Sequence, residues 1–169
     1  SPSRGLGDVY KRQELLKHGA DTHATDAMGN DAVMLACTVS RLETIRTWFE
    51  KNPDWNVDRR NERYGSTALH IAVYVGPSNL KLIRYFVEKQ HADVNVANYS
   101  GTSTLILACG NEDTDPNIVR YLLSLKKIDV NRQITSRAMK WNILRFFAKF
   151  AVRTKATRSK LFRRVAESG

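Results

Sequence analysis

The 169-residue chain is poor in several residue types and segments, and each shortage excludes something. It has only four prolines and 42% hydrophobic residues, a balance that argues against disorder. No apolar run approaches the ~20 residues that span a bilayer. The first ten residues, SPSRGLGDVY, contain no apolar core of a secretory signal. Two cysteines and no signal argue against a disulfide-built secreted domain, so an intracellular, cytoplasmic location is expected. There is no nucleophile elbow, P-loop, dinucleotide fingerprint or zinc-protease motif.

Charge of one sign is scarce in one stretch. Residues 132–169 hold eleven Lys and Arg against a single acid, Glu167. The whole chain carries +10, so residues 1–131 are neutral overall. Any attraction to an acidic partner that rests on net charge belongs to the tail.

What the chain does have is a repeat. DAMGNDAVMLAC (26–37), ERYGSTALHIAV (62–73) and NYSGTSTLILAC (98–109) align on Gly29, Gly65 and Gly101, spaced 36 and 36. Ala36, Ala72 and Ala108 follow at one offset. Each segment leads into a second helical pattern: LETIRTWFEK (42–51), LKLIRYFVEK (80–89) and NIVRYLLSLKK (117–127). Apolar residues recur there every three or four positions, as in Leu82, Ile83, Phe86 and Val87. A D-x-N triplet follows each: Asp54-Trp55-Asn56, Asp93-Val94-Asn95 and Asp129-Val130-Asn131. ELLKHGAD at 14–21 reads as the end of an earlier copy.

These residues resemble the ankyrin repeat. The family's T-P-L-H-x-A element is closest in Thr67-Ala68-Leu69-His70-Ile71-Ala72, and its G-A-D element stands at Gly19-Ala20-Asp21. The period of 36 exceeds the family's ~33; the surplus is placed at Arg59 to Asn61 and around Pro77 and Ser78. The resemblance implies an all-α solenoid of helix-turn-helix units with short hairpin fingers. It covers 14–131, with a partial unit at 14–25 and units at 26–61, 62–97 and 98–131. The physics agrees, because a two-helix unit cannot bury its apolar face until it is stacked. The glycines suit turns that need positive φ.

Both ends read differently. SPSRGLGDVYKRQ resembles translated library adaptor, so 1–13 is expected to be a non-native or disordered leader. Glu167-Ser168-Gly169 matches the approach to a further unit that is cut short. Residues 132–166 then read as an insertion or a degenerate repeat.

By resemblance, the function is a non-catalytic protein-interaction scaffold or adaptor, needing no cofactor and no metal. It would bind another protein through a concave face of fingers and first helices. Arg and aromatic residues are favoured at such contacts, which makes Arg59, Arg60, Arg63 and Tyr64 the leading cluster, with Tyr74 and Tyr99 nearby. A second reading is a targeting or regulatory arm of a larger enzyme or channel. A third rests on SRAMKWNILRFFAKFAVRTK (136–155), where an aromatic arc stands beside a basic row. Lys140, Trp141, Arg145, Lys149 and Arg153 would meet an anionic membrane surface or a calmodulin-type groove through 136–166. The plainer reading packs the arc on the preceding repeat. No nucleic acid is expected, since no binding motif frames the charges.

Other candidates read as structural. Cys37 and Cys109 occupy one core position in two repeats. His70 is expected to hydrogen-bond within and between turns. His18, His23 and His91 read as turn or surface residues. Asn111 to Asp115 is an acidic loop that lacks the glycine and glutamate of a calcium site and supplies acids to the next helix start.

Overall fold

The computed structural model describes residues 21–75, 79–111 and 113–129. Among them lie six helices: α1 Ala32–Thr38, α2 Leu42–Lys51, α3 Ala68–Tyr74, α4 Leu80–Glu88, α5 Thr104–Gly110 and α6 Pro116–Ser124. Each odd-numbered helix pairs with the even-numbered helix that follows. α1, α3 and α5 pack side by side as an inner row, and α4 packs against α6 in an outer row.

The inner helices span seven residues each. Helices below ~12–15 residues are marginal alone in water, so caps and packing must hold them. The caps sit at one repeat position. Asp31 accepts from the Met34 N–H, Thr67 from the His70 N–H and Ser103 from the Ile106 N–H. The packing uses small residues: Ala72 and Ala108 are fully buried and let the inner helices approach closely. Outer α6 starts on Asp115, whose carboxylate caps Asn117 N–H, with Pro116 in the first turn. The acids expected at this helix start are therefore realised in Asp115.

The core is continuous through the stack. Met34, Ile45, Leu69, Ile83, Phe86, Ile118 and Leu122 are its largest fully buried apolar side chains. Phe49 of α2 meets Phe86 and Tyr85 of α4 at ring centroid distances of 6.3 and 6.2 Å. Cys37 and Cys109 are free and buried, at the shared core position expected of them. Burial pushes the Cys109 thiol up to about 12 and the Cys37 thiol well above the ordinary thiol range.

The register of the repeats departs from the sequence reading in two places. In the second D-x-N, Asp93 accepts from the Asn95 N–H. The matching bond in the first unit runs from the Asp58 N–H to Asn56. The structural counterpart is therefore Asn56-Val57-Asp58, two residues after Asp54-Trp55-Asn56. Its third residue links the units, since the Asp58 carboxylate accepts from the Asp93 N–H and Asn95 accepts from the Asp129 N–H.

The surplus residues also divide differently. The connection 39–41 between α1 and α2 is two residues shorter than 75–79 and 111–115; Pro77 and Ser78 themselves lie outside the described residues. The other extra residue lies past Asn61, at the tip of the second finger. That finger closes from Asn61 to Ser66, whereas its neighbours close from Asp26 to Asn30 and from Asn98 to Thr102.

Candidate functional site: the finger tips and the inner-helix face

Each finger is a tight turn built by one side chain and one glycine. Asp26, Asn61 and Asn98 accept backbone N–H groups across their own turns: Met28 and Asn30 for the first, Tyr64 and Ser66 for the second, Ser100 and Thr102 for the third. Gly29, Gly65 and Gly101 take φ of 74°, 66° and 75°, the left-handed conformation expected of them. Neighbouring tips then bond through the backbone. The Arg63 N–H donates to the Met28 carbonyl (3.2 Å), and the Tyr99 N–H donates to the Tyr64 carbonyl (2.9 Å). The Asn61 side chain also donates to Asn30 at 2.8 Å. The tips therefore form a stitched row before any partner arrives.

That row is apolar and aromatic on its open side. Met28, Tyr64 and Tyr99 are exposed, Tyr99 to 64%. The Arg63 guanidinium lies over the Tyr64 ring, 5.4 Å from its centroid. The inner helices and their C-caps add further exposed apolar residues: Leu35 and Tyr74 in the helices, and Val39 and Val75 at one repeat position just past them, with Tyr74 exposed to 63%.

The six finger residues proposed from sequence thus separate into groups. Arg63, Tyr64 and Tyr99 share the bonded tips. Arg60 is exposed just before the second tip, and its charge reaches His70, where it opposes protonation. Arg59 turns elsewhere: it lies over the Trp55 ring at 5.7 Å and reaches the His23 carbonyl at 3.5 Å. Trp55 stacks on His23 and meets Trp48 of α2 edge-on, both at 5.1 Å. Tyr74 closes α3, and its carbonyl accepts from the Asn111 side chain at 3.0 Å. Sequence reasoning passed over Leu35, Val39 and Val75. As apolar residues within or just past short helices, all three read as core in the sequence, although each stands two positions from a buried Val33, Cys37 or Val73. Lys140, Trp141, Arg145, Lys149 and Arg153 lie outside the described residues.

His70 belongs to the scaffold. Its Nε2 donates to the Thr102 carbonyl of the next unit at 3.1 Å, because that oxygen can only accept. Nδ1 is then the accepting nitrogen, taking the Thr67 N–H at 3.3 Å and lying 2.9 Å from the Thr67 hydroxyl. Thr67 in turn accepts the His70 N–H, completing a capping box. Burial lowers the pKa of the ring, and the neutral form is the one that fits. Among the described residues no three His, Cys, Asp or Glu side chains gather to hold a metal. No described helix is long and apolar enough to cross a membrane.

Comparison with known proteins supplies the deciding observation. The family model described as ankyrin repeats (3 copies) matches residues 7–98 and 51–134. The chain belongs to the ankyrin-repeat family. One similar curated protein is the zebrafish (Danio rerio) ankyrin repeat and SAM domain-containing protein 6, 29% identical over 127 residues. That alignment covers 75% of this chain and 16% of the relative, so the chain spans a small part of that protein's length. Ankyrin repeats are in general protein–protein interaction modules, and the family is typically non-catalytic. In this ankyrin array, the exposed large apolar side chains among the described residues lie on the stitched tips and along the inner helices and their C-caps.

Proposed function

We propose that this ankyrin array is a protein-binding scaffold whose contact surface is the tip row together with the inner-helix strip. The observation that carries the reading is the pairing of Tyr64 and Tyr99, two exposed aromatic rings on tips already joined by a backbone hydrogen bond. The backbone beneath both rings is already fixed by that bond, so less freedom is lost on binding and burial of the rings contributes more fully to affinity. The relative's length supports a corollary: the array serves as the recognition arm of a longer chain. The test is capture of a partner, identified by mass spectrometry, with wild type and with the Arg63→Ala, Tyr64→Ala pair. The proposal expects the pair to lose capture while keeping its helical circular dichroism. Undiminished capture by the folded pair would sink the placement of the surface.

A further inference from the structure

The binding surface is almost free of charge, and this sharpens what can occupy it. The three inner helices read AVMLACT, ALHIAVY and TLILACG, without one Asp, Glu, Lys or Arg. The third finger, Asn98 to Thr102, is likewise uncharged. In the first finger Asp26 is the charged residue, and its carboxylate is committed to its own turn. It accepts from Met28 N–H, Asn30 N–H and the Asn30 side chain at 2.8, 2.8 and 3.0 Å, which hold it below the ordinary carboxylate range. Charge therefore enters at the second finger, through Arg60, Glu62 and Arg63.

Two arginines there stand against one glutamate, and all three residues are exposed. The Glu62 backbone N, Cβ and Cγ pack against Gly29 of the neighbouring tip. Arg60 and Arg63 are exposed, and among the described residues neither forms an ion pair. Arg63 is steadied over the Tyr64 ring rather than by an acid. The tip that carries it is also the one lengthened by a residue relative to both neighbours. The surface is thus an apolar strip with a cationic point at one place along it.

Resting on the binding role proposed above, we infer that the occupant is a peptide segment of mixed character. Its aliphatic or aromatic side chains lie along Leu35, Val39, Tyr74 and Tyr99, and an Asp or Glu beside them meets Arg63 and Arg60. An arginine fork beside an aromatic ring suits a carboxylate, and removal from bulk water strengthens the pair. A basic segment is disfavoured for the same reason.

The test selects a random peptide phage library on the full chain, in parallel with an Arg60→Gln, Arg63→Gln variant. Both baits carry the same basic tail, so tail-driven recovery of acidic peptides cancels in the comparison. Both arginines are exposed, and circular dichroism checks that the variant is folded. The expected result is that wild type enriches peptides joining Asp or Glu to aliphatic or aromatic residues. The variant should show a weaker acidic bias than wild type and keep the apolar one. A synthetic peptide from the wild-type pool should bind the variant at least about tenfold more weakly, as when an interface arginine is truncated. An identical acidic bias in both pools, or wild-type peptides lacking acids, overturns the inference and leaves the binding role standing. No enriched peptide of any composition overturns the binding role and this inference together.

Discussion

Gly29 and Gly65 occupy the same repeat position and should respond differently to the same substitution. Both sit at positive φ, where a β-carbon costs about 1–2 kcal/mol. The difference is what that β-carbon meets. At Gly65 it would fall 2.5 Å from Cδ1 of Tyr99, the edge of a largely exposed ring that can swing into solvent. At Gly29 it would fall 2.5 Å from the backbone nitrogen of Glu62, and no side-chain rotation relieves that. Forced overpacking adds roughly 1–3 kcal/mol. Gly65→Ala should therefore cost about 1–2 kcal/mol, and Gly29→Ala about 2–5 kcal/mol. Urea denaturation followed by circular dichroism at 222 nm reads both, with each kcal/mol moving the midpoint by roughly 0.3–1 M urea. Adding Tyr99→Ala should recover part of the Gly65→Ala loss and none of the Gly29→Ala loss. Equal costs at the two glycines would refute the reasoning, and so would a neutral effect at either.

Three further perturbations follow from the packing. His70 is held neutral in the fold, so its native pKa lies below the unfolded value near 6.5. As pH drops below about 6.5 the unfolded chain takes up a proton that the native ring refuses, and stability should fall until the native pKa is passed. His70→Gln should flatten this part of the pH profile in parallel denaturant titrations; an unchanged slope would remove His70 as its source. Phe86→Ala deletes a fully buried ring at the α2–α4 contact and should cost about 3–5 kcal/mol by urea denaturation. Cys37 and Cys109 should resist a thiol reagent at pH 8 in the native state and both react in urea, since burial removes access and raises both thiol pKa values. Fast native reaction of either would contradict the core described here.

The repeat was legible because its parts have local causes. Glycines at a spacing of 36 match turns at positive φ, and Thr67-Ala68-Leu69-His70 already contains both halves of its capping box. Helix placement followed from apolar spacing. The register of the first unit's D-x-N triplet was harder to read, because Asp54-Trp55-Asn56 fits the pattern as letters. Only the bonds from Asp58 to Asn56 and from Asp93 to Asp58 reveal which residues occupy the linking position. The proposed surface was half visible. Residue type pointed to Arg63, Tyr64 and Tyr99, but it pointed equally to Arg59, which the Trp55 and His23 rings hold apart from the tips. Leu35, Val39 and Val75 look like core residues in the sequence. Their exposure depends on which side of a short helix the next repeat covers, a tertiary fact.

Under the proposed function, partners meet the tips and inner helices. Site-specific photo-crosslinking tests it most directly. A benzophenone amino acid would be placed singly at Tyr64, Tyr74 or Tyr99, and for comparison at the exposed outer-helix positions Glu50 and Lys81. Protein adducts are expected from the first three positions and few from the other two. Adducts confined to Glu50 and Lys81 would place the partner on the outer row and contradict that proposal.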